Sequence, residues 1–417
     1  MRIAEWIKEL TMKKIRLTIL AVCAAFLLVG AQAFAEITVD VVAPTVTFTG
    51  NGADLDQALN DLYSQGEAKF TQKIADFKAE AQTDLDKYGD MGDLAKGFAD
   101  ANVSASQAAT LQGYEGYKLF AVMIGGMAGI QLPSTDPSVL TDLSNTLADD
   151  PDVRLGVAPS ISVNVGFNMG KILGLFNRDL GDKTKRIYVN VKGGAYNNSY
   201  DTSDDSTFDM KTSTFGIGVN YQLITPKKLP LGVFKWRGLS VGSGLTYQRN
   251  TFDSSTTLDP IVQTYTASNP VTYGGYTVGS IDTIATLSAT PKVDIGVDMR
   301  TFSIPLEVLT SVQLLYVLNV NVGLGADIVF GKSDITATSS SDMNVTDLTV
   351  NGTTVHYKSA PGSVKVDAST NDIKPTLARA RVMGGLGLNA GPIKLDVPMY
   401  YYFTSGFGAG MSVGFVW

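Results

Sequence analysis

From residue 118 to the end of the chain, apolar positions alternate with small or polar ones at a period of two. Val157, Ile161, Val163, Val165 and Phe167 interleave with Ser160, Ser162, Asn164 and Asn168, and Phe215, Ile217, Val219 and Tyr221 with Thr214, Asn220 and Gln222. Neighbouring side chains of a strand point to opposite faces, so each run has one greasy face and one small or polar face. The alternation predicts strands over residues 120–132, 155–168, 187–196, 214–223, 239–248, 293–312, 318–330, 378–389, 393–401 and 407–417. In the first strand Phe120, Val122, Ile124, Ala128, Ile130 and Leu132 share a face, while Leu119, Met123 and Met127 make the other face apolar too. In the last, Phe407, Ala409, Met411, Val413, Phe415 and Trp417 oppose Gly408, Gly410, Ser412 and Gly414. A soluble half-buried strand would carry polar groups on that second face, whereas nearly bare backbone suits a wall with lipid outside and a crowded lumen inside.

Together the runs read as an all-β transmembrane barrel, antiparallel and up-and-down, with about 10 strands over residues 118–417 and a helical segment before them. Residues 293–312 break the pattern: Val293, Ile295, Val297 and Met299 are odd-numbered, but Phe302, Ile304, Leu306 and Val308 are even-numbered. The outward parity is therefore expected to flip near Arg300, through a bulge or a tight hairpin. An extra hairpin there and another within residues 334–367 would raise the count to about 12 or 14. With the chain entering from the periplasmic side, the long polar connections 133–153, 197–208, 252–291 and 333–374 fall at the outer end. The shorter turns at 226–228 and 390–392 fall at the inner end.

Before the wall, the period lengthens to about 3.6. After an extended piece over residues 37–49, Leu55, Leu59, Leu62, Phe70, Ile74, Phe77, Ala81, Leu85 and Tyr88 recur at helical spacing, with Gly66 a divider and Gly89 a stop. Residues 94–111 form a second helical stretch holding Asn102, Ser104, Ser106 and Gln107. Residues 36–117 are thus either a periplasmic helical element against the barrel foot or a plug within the lumen. Earlier still, Lys13, Lys14 and Arg16 precede an apolar run over residues 17–30, and Ala33-Phe34-Ala35 offers a cleavage site before Glu36. Residues 1–35 read as a signal peptide, with Met12 giving the cleaner start. Cys23, the one cysteine, sits within that run, so the exported chain would have no disulfide; lipid attachment at Cys23 is disfavoured because the apolar run continues past it. Beyond Gly30 no apolar window is long enough for a spanning helix. The location expected is the bacterial outer membrane, with its lipid as one partner and its barrel assembly machinery, recognising residues 407–417, as another.

Charge removes several functions. A net charge of −7 without a clustered basic face argues against nucleic acid. His356 is the only histidine and falls among Thr353, Thr354 and Lys358 in an outer loop, so neither a Ser-His hydrolase nor a metal centre has its parts. No enzyme and no cofactor is expected. The charges on the minor, inward face are Lys192, Glu307, Asp327, Arg379, Arg381, Lys394 and Asp396. Facing lipid, a lone Lys or Arg near the midplane would cost roughly 2–4 kcal/mol. Their mixed signs suit pairing across the lumen better than an ion-selective ring. Glycines on the same face, Gly129 and Gly408 among them, leave room for a plug or a ligand.

The order of parts, with Asn102-Val103-Ser104-Ala105-Ser106-Gln107-Ala108-Ala109-Thr110 leading into Gly113-Tyr114-Glu115-Gly116-Tyr117 and then a barrel to the last residue, resembles the outer-membrane transporters for long-chain fatty acids and other hydrophobic compounds. The Asn-Pro-Ala element which that family carries near its mature N-terminus is not present. The resemblance implies passage of a hydrophobic small molecule through the lumen, gated by the N-terminal segment. Leu119, Met123 and Met127 are then the apolar contacts to test first, and Arg379 and Arg381 the candidate carboxylate partners. A general diffusion porin and a structural or adhesive barrel are the competing readings.

Overall fold

The computed structural model describes residues 36–42, 44–48, 92–109, 117, 119–134, 154–176, 181–203, 206–228, 234–273 and 276–417. The expected signal peptide, residues 1–35, and the expected amphipathic stretch 55–88 lie outside the described residues. Two short strands come first, β1 (Glu36–Val42) and β2 (Thr45–Phe48), followed by helix α1 (Gly92–Ala105). The wall begins with β3 (Phe120–Gln131), β4 (Gly156–Asn168), the short helix α2 (Met169–Leu175), β5 (Ile187–Ser203), β6 (Ser206–Ile224) and β7 (Lys227–Lys228). It continues with β8 (Phe234–Thr257), β9 (Ile261–Tyr273), β10 (Tyr276–Ala289), β11 (Lys292–Leu314) and β12 (Leu318–Val350). The remaining strands are β13 (Thr353–Thr354), β14 (Tyr357–Ala360), β15 (Gly362–Ile373), β16 (Ala378–Ala390), β17 (Ile393–Tyr402) and β18 (Gly406–Val416).

Every pairing is antiparallel. From β3 the pairs run one way through β4, β5, β6, β8 and β11 to β12, and the other way through β18 and β17 to β16. β12 then meets β16, Leu318 opposite Leu388 and Ile328 opposite Ala378, while its other edge meets β11. The pairing path leaves β12 by one edge and returns to it by the other. At one end lie the start of β3, the last residue and the turns after β11 and β16; there the Leu119 N–H donates to the Trp417 carbonyl at 2.7 Å. We call this the terminal end. Gly391, at φ +64°, makes the turn between β16 and β17 there, a conformation that a residue without Cβ takes readily.

At the opposite, loop end the connections 197–208, 252–291 and 333–374 are themselves largely sheet. Past Gly331, β12 continues beside β15 on one edge and beside β11 and then β10 on the other, and β9 pairs with β10. Residues 252–291, expected as an outer connection, are largely strand, and so are residues 334–367, expected to hold an extra hairpin, but these strands lengthen the wall instead of entering the path described above. β1 adds to the edge of β15, with Glu36 opposite Ser369 and Val42 opposite Ser363, and β2 pairs with β14. The expectation that the N-terminal segment starts at the end away from the long connections is corrected by these pairings.

Around the middle of the wall the apolar face is turned outward. Phe215, Ile217, Leu306, Val308, Val322, Leu386, Met411 and Val413 are exposed, Leu324 by 62%. Phe215, Tyr247, Phe302 and Phe330 stand level on four successive strands, and Tyr401, Phe403 and Phe407 cluster on β17 and β18. Trp417 stacks on Phe415 at the terminal end, with ring centroids 6.3 Å apart.

The expected parity flip near Arg300 does not occur. β11 pairs with β12 without a register shift from Lys292 to Leu314, and no hairpin divides it. Instead the environment flips. Toward the terminal end Phe302, Leu306 and Val308 point out; toward the loop end Val297 and Met299 point in and are buried with Leu94, Phe98, Ile335 and Ala368. On the outward side there, Arg249 and Arg300 both donate to Asp298, and Lys332 pairs with Asp334 and Asp372. Half-burial raises the Asp298 carboxyl, but hydrogen bonds from Arg300 and Arg249 outweigh it and hold the group below its ordinary range. Leu132, expected to face outward, lies just beyond β3 and is buried.

Candidate functional site

The interior of the wall holds α1, which packs against β3, β4, β8, β11, β12, β15 and β18. All its residues from Leu94 to Ala105 except Lys96 are buried. Ala95, Ala99, Ala101 and Ala105 favour the helix and keep it narrow. Two contacts require glycine: Gly97 of α1 meets Gly156 of β4 backbone to backbone, and Gly129 of β3 faces the backbone at Ala101 and Ala105. A Cβ at any of these three positions would strike main-chain atoms that cannot yield.

The direction of α1 follows from its neighbours. Its first turn sits with Val297, Ile335 and Ala368 toward the loop end. Past its last turn, Ser162 donates to the Ala108 carbonyl at 3.1 Å, Asn164 to the Ala109 carbonyl at 3.0 Å, and the Lys192 ammonium to the Ser106 carbonyl. Carbonyls at a helix C-terminus lack internal partners and carry partial negative charge, so amide, hydroxyl and ammonium donors fit there. Further toward the terminal end, Tyr117 meets Tyr188 edge-on at 5.2 Å.

In the last turn of α1, Asn102 is held on both sides of its amide. Its Nδ2 donates to Thr301 Oγ1 at 2.8 Å and to the Gln248 carbonyl at 3.1 Å, and its Oδ1 accepts from Asn250 Nδ2 at 2.8 Å. Asp100 accepts from the Thr376 N–H at 2.9 Å and its hydroxyl at 3.0 Å, and is in contact with Arg154. Arg379 reaches the Asp100 carbonyl, Gln131 Oε1 at 2.9 Å and Thr404 Oγ1 at 3.2 Å, and its guanidinium lies 4.2 Å from the Tyr402 ring centroid.

A second constellation sits beside it. Arg381 donates to Asp327 Oδ2 at 2.7 Å, to the Tyr402 hydroxyl at 2.8 Å and to Glu307, while the Tyr402 hydroxyl donates to Asp327 at 2.9 Å. Arg381, Gly325 and Glu307 lie opposite one another on three adjacent strands, and the arginine crosses over the glycine. Lys192 and Glu307 line one cavity of about 50 Å³ together with Gln107, Asn164 and Asn220. That is room for a few waters. A larger space of about 350 Å³, bounded by Asp209, Asp253, Asp294 and Thr338, belongs to the extension at the loop end.

The sequence-predicted residues are divided among several places. Arg381, Glu307 and Asp327 form one cluster, with Lys192 across the small cavity, and Arg379 binds α1 instead. Lys394 and Asp396 pair with each other at 2.9 Å, buried toward the terminal end. Met123 and Met127 join Ala108, Tyr117, Tyr188, Leu309 and Met383 in an apolar cluster, whereas Leu119 is only half-buried. Sequence reasoning passed over Asp100, Gln131, Asn250 and Tyr402; inward parity marks Asn250 and Gln131, but nothing marks Asp100, an acid among alanines. Among the described residues no group of acidic, His or Cys side chains is placed to hold a metal.

No curated protein matches the chain. Solved structures give distant likenesses. The translocator domain of autotransporter NalP from Neisseria meningitidis matches at TM-score 0.26 and 8% identity, over 72% of this chain and 89% of that one. The Ralstonia pickettii toluene transporter TbuX matches at 0.24 and 9%, over 78% and 99%. The Acinetobacter baumannii outer membrane protein Omp33 matches at 0.21 and 10%, over 73% and 100%. At such scores none of them bears on what this chain does. A family model described as Lsa36-like matches residues 32–417.

Proposed function

The chain belongs to the Lsa36-like family, and we propose that it is a β-barrel of the bacterial outer membrane whose passage is closed by α1. In this reading β3, β4, β5, β6, β8, β11, β12, β16, β17 and β18 are the ten wall strands. From Phe407 to Trp417 strand β18 rises ~33 Å, and at a tilt of ~40° that gives an apolar band ~25 Å tall between aromatic girdles, the height such barrels need. Export, with cleavage near Ala35, would precede insertion, and the assembly machinery would read the final strand. The observation that carries the closed state is the seat of α1 against β3, β4, β8, β11, β12, β15 and β18, and the cavity beside it at Lys192 and Glu307 measures only about 50 Å³. Pockets for organic ligands are several-fold larger, so anything that passes must first displace the helix.

Hydrophobic small molecules, long-chain fatty acids among them, are the cargo we favour. The apolar cluster of Met123, Met127, Tyr117, Tyr188 and Leu309 supports this, because it becomes a greasy surface once α1 withdraws. Arg379 and Arg381 could meet a carboxylate only after their bonds to Asp100, Asp327 and Glu307 break. The polar lining around Asn164, Asn220 and Lys192 favours a second reading, passage of small polar solutes as in a diffusion porin.

Planar-bilayer recording tests the closed state. The intact chain is expected to be nearly silent, and a double variant Asn102→Ala, Lys192→Met, which loosens α1, is expected to open in discrete steps. Steady conductance from the intact chain would sink the proposal. Uptake of a labelled fatty acid separates the cargoes: Met123→Asn with Met127→Asn should slow it without changing conductance in the loosened background.

A further inference from the structure

We propose that the chain is threaded through its own barrel, so that β1 and β2 are displayed on the outer surface of the cell and α1 is the stretch left in the pore. This rests on the membrane reading above and adds to it a direction for the polypeptide.

Three described segments fix that direction. β1 lies on β15, which in turn lies on the extension of β12: Val42 stands opposite Ser363, and Ser363 opposite Asp342. Along β12, Asp342 is ~80 Å from Leu318 at the terminal end, far beyond what a bilayer spans. α1 then enters the interior from that same side, with Leu94 among Val297, Ile335 and Ala368, and runs ~20 Å inward. Past its last turn, Ser106, Ala108 and Ala109 are met by Lys192, Ser162 and Asn164, and Tyr117 lies on Tyr188 near the terminal end. Leu119 then bonds to Trp417 and β3 climbs the wall.

Outer-membrane barrels keep short turns on the periplasmic side and longer connections outside. The turns after β11 and β16 are short, while the extension formed by β9, β10, β12, β14 and β15 stands at the other end. That extension is the outer end, and β1 and β2 belong to it. A hatch inserted from the periplasm would instead begin at the terminal end and turn back. Here the described segments on either side of α1 lie at opposite ends, β1 on β15 at the loop end and Leu119 on Trp417 at the terminal end.

Cysteine labelling with a membrane-impermeant maleimide, on intact and on permeabilised cells, tests this; the parent chain with Cys23 gives the background. Asp40→Cys and Thr45→Cys probe β1 and β2, both exposed positions. Asp347→Cys marks the extension and Asp182→Cys the terminal end, again at exposed positions. The expected result is that Asp40→Cys, Thr45→Cys and Asp347→Cys label fully in intact cells, while Asp182→Cys stays at background until the outer membrane is opened. If Asp347→Cys and Asp182→Cys separate in this way but the two N-terminal variants follow Asp182→Cys, threading is wrong and the membrane barrel stands. If Asp347→Cys and Asp182→Cys label alike in intact cells, no membrane lies between them and both proposals fall.

Discussion

Strand β11 passes through two regions that solve the same folding problem in opposite ways. Below Arg300 its outward side chains are Phe302, Leu306 and Val308, and its inward ones include Ser303, Glu307 and Ser311. Above Arg300 the outward positions carry Asp298 and Arg300, and the inward ones are Val297 and Met299. The backbone is continuous and its register with β12 does not shift. In the membrane reading proposed above, what changes is the surroundings: hydrocarbon rewards apolar atoms on the outside and lets polar groups gather within, whereas water reverses both preferences. Hydrophobic periodicity thus reports which side is dry, and only indirectly which side is in.

The contrast can be broken most severely inside the lower region. Arg381→Met leaves Glu307 and Asp327 buried without their cation, and about 3–5 kcal/mol of stability should be lost in urea unfolding from detergent micelles; a loss near zero would mean that water already reaches the cluster. Next comes one substitution made in both regions. Val308→Arg, facing outward below the boundary, should cost about 2–4 kcal/mol in lipid vesicles, while Thr336→Arg, facing outward above it, should stay within about 0.5 kcal/mol. Equal costs would erase the boundary. Smallest is Asp298→Asn, which removes two exposed ion pairs and should change stability by at most about 1 kcal/mol. Because the Asp298 carboxyl titrates below its usual range, its contribution is present at neutral pH and is lost as the pH falls through that lowered range. The parent and Asp298→Asn stabilities should therefore converge at low pH.

Much of the lower region was legible in the sequence, because there period two, outward apolar residues and inward charges all agree. Lys192, Glu307, Asp327, Arg379, Arg381, Lys394 and Asp396 could each be assigned to the inner face from parity alone. Their partners could not, since alternation fixes the face of a residue but not the register between strands. Without knowing that Arg381 lies level with Gly325 and Glu307, nothing separates it from Arg379, which holds the helix. Above Arg300 the same reasoning misled, since it assumed that apolar means outward along the whole strand and so required a bulge or hairpin. The seat of α1 was half visible. Alanine and glycine spacing admits a tightly surrounded helix, and bare positions such as Gly129 offered space, but Asp100 resembles any solvated acid until Thr376 and Arg379 are seen around it.

The seam between β3 and β18 joins Gln131 to Gly406 and Ala121 to Val416, the first wall strand to the last. Contacts so distant along the chain form late, because a long loop must lose its freedom before they repay it. In the barrel proposed above, the ring therefore cannot shut before β18 pairs with β3. In that barrel α1, broader than any gap between paired strands, can leave only through an open end, so β18 is the latch that bars its sideways escape.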